Sequence, residues 1–267
     1  MKLIFFANKN KPNVVEEMQS LSAIASAKGV VSLSVDDERS LFELSPEQWE
    51  DAFCVVSIGG DGTILRAASA ATRYGKPVLG INMGRIGFFS EIGTFEFDKA
   101  LSKLLDNEYG IEHSSMLRCE LNGAHMGDCL NDFVIHRQEL SSITYLDLEI
   151  DGDGIGDVMA DGLIVGTPSG STAYTMSAGG PVVAPKLDCI LITPICPHSL
   201  TVRPIVASAD SVVRIRLKSS CRLNMDGQDL RILVPGDELL LKRSEKAAGF
   251  IRFQGRNVFK LIREKLK

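Results

Sequence analysis

Unbroken apolar runs alternate with helically spaced apolar positions up to about residue 110, after which the rhythm changes to short alternating runs. Residues 3–7 read as a buried strand. Pro12 is suited to the first turn of a helix, and Val14, Val15, Met18, Leu21, Ile24 and Ala25 follow at helical spacing as far as Gly29. Val30 to Val35 is a second strand, and Ser45-Pro46-Glu47 places an N-cap before proline at the start of a short helix. Phe53 to Ile58 is apolar throughout, as expected of a strand covered on both faces of a parallel sheet. It runs into Gly59-Gly60-Asp61-Gly62-Thr63 and then an alanine-rich helix. Val78 to Ile81 is the next strand. Strands alternating with helices predict an α/β unit.

Beyond about residue 110, Leu146, Leu148 and Ile150 alternate with Asp147, Glu149 and Asp151, the mark of a half-buried antiparallel strand. Asp151-Gly152-Asp153-Gly154 carries hairpin-turn chemistry, and its spacing does not complete a Ca²⁺ loop. Further strands are expected at 158–167, 189–193, 211–217 and 238–241, and Val258 to Leu266 returns to helical spacing. The expected organisation is an α/β domain over 1–110, a β-sandwich over 111–252, and a helix over 253–267 packing back on the first domain.

Composition narrows the classes. Hydrophobic residues make up 45% and charged residues 24%, enough for a sizeable core. A formal net charge of −5 argues against a nucleic-acid partner. The basic residues between Lys242 and Lys267 read as the solvated face of a C-terminal helix. Six dispersed cysteines without a C-x-x-C pair, and four dispersed histidines, suggest neither a zinc site nor a disulfide framework, so a reducing cytoplasm is expected. The apolar start, residues 3–7, is too short for a signal-peptide core, and no run approaches a membrane span.

The glycine loop lies where a buried strand meets a helix, the edge at which open α/β sheets bind ligands. Glycines let the backbone approach a phosphate, and the helix N-terminus adds donors. The loop lacks the ending of a P-loop and the spacing of a dinucleotide fingerprint. It holds a carboxylate instead, and Asp61 beside phosphates is unfavourable unless it ligates Mg²⁺ or accepts a proton from an attacking hydroxyl. A tight turn with a capping aspartate is the structural alternative. The loop resembles one shared by NAD kinases, diacylglycerol and sphingosine kinases, and 6-phosphofructokinases.

Asp161 to Tyr174 is an apolar strand broken by Pro168 and followed by a loop dense in hydroxyls and small residues, the parts needed to hold a nucleoside. This string resembles the nucleotide-binding signature of the NAD kinase family. So do Ser177 to Pro181, Ile192 to Leu200 with Arg203-Pro204, Asn131-Asp132, Asp226-Gly227-Gln228, and Asn82 to Phe88. These cover about residues 55 to 230 in the family's order. The resemblance implies a Rossmann-like N-terminal domain, a C-terminal β-sandwich and a returning tail.

It also implies roles. Asp61 would accept the proton of the adenosine 2′-hydroxyl, and it is the one assigned side chain that could also meet the metal. Gly62 would touch the ribose and Arg66 the dinucleotide phosphates, while Gly59, Gly60 and Thr63 would seat the transferred phosphate. Asn131 and Asp132 would bind the adenosine end, with Asp132 one methylene shorter than the commoner glutamate. Asp161 would bind the nicotinamide or its ribose, from its own or a neighbouring subunit. Thr172, Ala173, Tyr174, Thr175, Met176 and Ser177 would wrap the nucleoside, and Gln228 would add a polar contact. Met159 stands where many members carry a basic residue, and His198 and Arg203 are expected to be structural. Mg²⁺ would accompany ATP, and a homodimer or homotetramer would form. The rival expectations are another kinase with this loop, acting on a lipid or sugar, and a non-catalytic NAD(H) sensor.

Overall fold

The computed structural model describes residues 1–84, 87–139, 141–199, 201–253 and 261–263. The chain divides into two units, Met1–His113 with Ala248–Lys267, and Ser114–Ala247.

The first unit is built on strands β1 (Lys2–Ala7), β2 (Val31–Val35), β3 (Cys54–Ile58), β4 (Val78–Asn82) and the short β5 (Ile92–Gly93). They pair in parallel in the order β4-β3-β1-β2, with β5 continuing beside the end of β4. Helices α1 (Val14–Ala27), α2 (Glu38–Phe42), α3 (Pro46–Glu50), α4 (Asp61–Thr72) and α5 (Phe97–Leu105) connect and cover them. β3 and β4 are buried along their whole length, which is why they read as continuous apolar runs. The register Ala7↔Ile58 brings the carboxyl ends of β1 and β3 to one edge, and the loops that leave them emerge side by side.

The predicted N-cap at Ser45 is present and is one half of a capping box, with Gln48 N–H on Ser45 Oγ and Ser45 N–H on Gln48 Oε1. α1 departs from expectation. It begins at Val14 rather than Pro12, because Asn13 takes the left-handed conformation (φ 60°) as its N-cap and residues 8–11 close a turn of their own.

The second unit contains two sheets. One joins β9 (Thr144–Ile150), β10 (Asp153–Ala160), β14 (Val213–Leu217) and β17 (Glu238–Arg252) in the order β10-β9-β14-β17, with β6 (Gly110–Leu121) on β17 and β7 (Ala124–Cys129) on β6. The other runs β13-β12-β11-β8-β15-β16, from β8 (Asp132–Arg137), β11 (Gly162–Gly166), β12 (Cys189–Ile195), β13 (Ile205–Ser208), β15 (Cys221–Met225) and β16 (Gln228–Leu233). Leu117, Phe133, Leu148, Leu163, Ile192 and Leu241, among others, meet in the core of this β-sandwich. A short helix α6 (Tyr174–Ser177) follows β11.

Two boundaries differ from the sequence reading. The run 158–167 is two strands, since Asp161 is a corner between β10 of one sheet and β11 of the other, its N–H donating to the Ile195 carbonyl. Residues 248–252, placed by sequence in the β-sandwich, belong with the first unit: β17 is one 15-residue strand whose Phe250 pairs with Val78 and whose Ile251 is buried in the first core. The closing helix expected from Val258 to Leu266 falls largely outside the described residues, although Leu261 to Arg263 are helical.

Candidate functional site

Gly59 leaves β3 with φ 147°, and a Cβ there would stand 2.8 Å from Thr63 Oγ1, so the loop requires glycine where it turns back on its own helix. Gly60 is the N-cap of α4, and its carbonyl accepts from the N–H groups of Thr63 and Ile64. Asp61 therefore occupies the first turn of α4, where a carboxylate is favoured by the helix dipole. Its two oxygens accept from backbone amides of the loop after β4, Oδ2 from Phe88 N–H and Oδ1 from Phe89 N–H, each at 3.0 Å. Gly87 lies so close that a Cβ would fall 2.0 Å from Asp61 Oδ1. The glycine loop and the Asn82–Phe88 element are thus one local structure; Arg85 and Ile86 lie outside the described residues.

Lys11, which the sequence reading did not single out, donates from Nζ to Thr63 Oγ1 at 3.1 Å, putting a cation beside the loop. Its signal was present, since a lysine shortly after β1 must emerge at the same sheet edge as a loop leaving β3. Arg66 lies one turn further along α4, half-buried, with Nε 3.7 Å from Glu38 Oε1.

A second cluster forms in the β-sandwich. Asp226 and Gly227 make the tight turn between β15 and β16 with φ of 49° and 76°, and the Asp226 carboxylate accepts from Leu130 N–H (3.0 Å) and Asn131 N–H (2.7 Å). Thr167 at the end of β11 ties the same segment down, with N–H to the Asn131 carbonyl and Oγ1 to the Leu130 carbonyl. Asp132 is buried beside Asp226, and burial, with the Asp226 charge second, pushes its carboxyl up to about 7. Asn131 Oδ1, Thr175 Oγ1 and Thr193 Oγ1 are buried without a hydrogen-bond partner among the described residues. Gly166 brings the Asn131 carbonyl, Thr175 Oγ1 and Asp132 within 4 Å of one point, and Gly180 does so for Thr175 and Thr193. Of the orphaned atoms, Thr175 Oγ1 borders Gly166 and Thr193 Oγ1 borders Gly180, and buried polar atoms left without a partner suit a polar ligand.

Of the other predicted residues, Tyr174 is 46% exposed and is no core aromatic. Thr175 is fully buried, Thr172, Ala173 and Met176 are half-buried, and Ser177 and Gln228 are exposed. Asp161 Oδ1 is bound by Arg137 Nη1 at 2.7 Å, a partner sequence reasoning missed. Met159 is exposed on β10. Gly62 is exposed in the first turn of α4. Among the described residues, no three of His, Cys, Asp or Glu converge to hold a metal.

Family models match in two blocks: the ATP-NAD kinase N-terminal domain over residues 3–109 and the ATP-NAD kinase C-terminal domain over 130–253. A protein named NAD kinase from Lachnoclostridium phytofermentans is 34% identical over 280 residues, covering 99% of this chain and 98% of its own. One of the same name from Prosthecochloris aestuarii is 36% identical, covering 100% and 96%. Among solved structures, yeast NADH kinase complexed with NADH superposes with a TM-score of 0.86 at 25% identity, covering 100% of this chain and 87% of the other. An Archaeoglobus fulgidus NAD kinase in complex with ATP does so with 0.79 at 26%, covering 95% and 94%. Both units match, in order and over nearly their whole length, and the chain belongs to the NAD kinase family.

Proposed function

We propose that this chain transfers the terminal phosphoryl group of ATP to the 2′-hydroxyl of the adenosine ribose of NAD, giving ADP and NADP, with Asp61 taking up the hydroxyl proton. The observation that carries the role of Asp61 is its setting. A carboxylate stands among glycines at a helix start and is aimed by two amide hydrogen bonds of 3.0 Å. Two amides fix the plane of the carboxylate, the group suited to take a proton from an incoming hydroxyl.

The N–H groups of the glycine loop, the N-terminus of α4 and Lys11 supply positive potential for the donor's phosphates. Mg²⁺ bound with ATP would supply charge neutralisation at the donor phosphates, with Asp61 the carboxylate placed to meet it. That mode asks the protein for only one or two carboxylates, which agrees with a lone Asp61 at the loop. In the β-sandwich, Asn131, Asp132, Thr172 to Ser177, Asp161 and Gln228 bind NAD. The buried orphan oxygens of Asn131 and Thr175 support this reading, as does Asp132, which near neutral pH can donate as well as accept. Arg66, its Nε 3.7 Å from Glu38, contacts the dinucleotide phosphates.

We place the protein in the cytoplasm, consistent with six free cysteines, four of them buried. We also read it as a homodimer or homotetramer, since β10 ends its sheet and carries exposed Ile155 and Met159. No described helix is long and apolar enough to cross a membrane.

The test is a coupled assay in which Mg-ATP and NAD⁺ are supplied and NADP⁺ is detected by an NADP-specific dehydrogenase. Wild type should produce NADP⁺. Asp61→Asn should lower kcat on the order of 10²-fold or more while calorimetry still registers NAD binding. Near-normal turnover by that variant would remove the general-base role.

A further inference from the structure

The segment that aims Asp61 is itself clamped from the far end of the chain. Phe89 donates its N–H to Asp61, and its carbonyl accepts from Arg252 Nη1 at 3.1 Å. The same nitrogen stands 3.4 Å from Glu91 Oε2, and the second guanidinium nitrogen lies 3.6 Å from Glu112 Oε1. The other oxygen of Glu91 accepts from Phe253 N–H at 2.7 Å, while Glu91 N–H donates to the Gly80 carbonyl in β4. The Phe89 and Phe250 rings stack with centroids 5.3 Å apart, and the guanidinium lies over the Phe250 ring. Gly80 leaves no space below this segment: a Cβ there would stand 2.8 Å from the Phe89 carbonyl oxygen.

The Arg252 and Glu91 side chains are 11% and 6% exposed. Burying a guanidinium and a carboxylate costs desolvation that their attraction barely recovers, so net stability is a poor explanation for an ion pair at this place. Geometry is a better one. A planar guanidinium held by carboxylates on two of its nitrogens is fixed in direction as well as distance, and here it fixes the residue whose N–H orients the proposed proton acceptor. Displacing a reacting group by about 1 Å costs on the order of 10²-fold in rate.

We propose that Arg252, oriented by Glu91, is a positioning residue for phosphoryl transfer: it holds Phe89 so that the Phe88 and Phe89 amides present the Asp61 carboxylate to the acceptor hydroxyl. The inference rests on the general-base reading of Asp61. In this role Arg252 acts through Phe89, whose carbonyl it binds.

The experiment is a kinetic series on the full-length protein: Arg252→Gln, Arg252→Lys, Glu91→Gln, Asp61→Asn, and Asp61→Asn with Arg252→Gln. Arg252→Gln should lower kcat by about tenfold or more and change KM for NAD and for ATP by less than about threefold, with Arg252→Lys recovering part of the loss. In the Asp61→Asn background the same substitution should lower the residual rate by less than about twofold, since its effect runs through the missing carboxylate. A residue that merely stabilised the fold would multiply its loss in both backgrounds. Folded Arg252→Gln protein with wild-type kcat overturns the proposal, and so do multiplicative losses. If Arg252→Gln does not fold, Glu91→Gln decides: it removes the ion pair yet keeps an acceptor for Phe253, and it should show the same kcat-selective loss, wild-type kcat being the overturning result. An inactive Asp61→Asn beside an unimpaired Arg252→Gln defeats this inference alone, whereas an active Asp61→Asn defeats both readings.

Discussion

Asp132 is a carboxylate whose environment departs far from what its type implies. Its carboxyl is raised to about 7 by burial and by Asp226, whereas in the unfolded chain it titrates near about 3.9. Between those values the folded protein holds a proton that the unfolded chain has released. This group therefore removes stability progressively as pH rises from about 4 to about 7, and the full deficit remains above that range. Asp132→Asn lacks the titration, so its urea midpoint relative to wild type should improve between pH 5 and pH 8. A difference that does not change with pH would refute the assignment. Asp61 was legible from sequence because a carboxylate among glycines at a strand–helix junction is chemically anomalous. Arg137 and Arg252 were not, because their partners Asp161 and Phe89 lie 24 and 163 residues away. Such pairs exist only after the strands have paired.

At the scale of elements, local chemistry was informative wherever a turn or cap is self-contained. The Ser45 capping box and the Asp151-Gly152 hairpin, with φ of 54° and 89°, are set by residues within four positions of one another. Asn122-Gly123 and Asp226-Gly227 carry the same turn signal, with positive φ at all four residues, and mark the β6–β7 and β15–β16 hairpins that went unread. The loop from Ser169 to Ser177 is different, since its run of small and hydroxylated residues has no period. Folding turns Thr175 inward and leaves Tyr174 46% exposed. Tyr174→Ala should therefore weaken NAD binding by about tenfold or more in a calorimetric titration, while Tm moves by no more than about 2 °C, as for an ordinary surface change. Unchanged affinity would exclude the ring from the nucleoside site.

For the whole molecule, the main feature is that the first unit is completed by the end of the chain. Ile251 is fully buried in a core otherwise built from residues before 110, with Phe253 beside it. Ile251→Ala should cost about 2–5 kcal/mol. Amide exchange should report the loss in β1, β3 and β4 and leave β8 and β11 protected; equal loss in both sets would contradict two separate cores. Sequence alone determined the fold class of each half. An α/β rhythm and a period-two rhythm follow from which faces each element must bury, and that is written in local spacing. It also determined which groups the glycine loop brings together, because Gly59 to Thr63 are consecutive. Tertiary structure decided the rest: that β17 continues for 15 residues and takes its last part into the first unit, that Asp161 is a corner between sheets, and that Phe88 and Phe89, steadied by Arg252, are what aim Asp61. The physical reason is the same for all three. A hydrogen bond or buried contact between residues far apart in the chain depends on strand register and sheet order, and no window of sequence contains either.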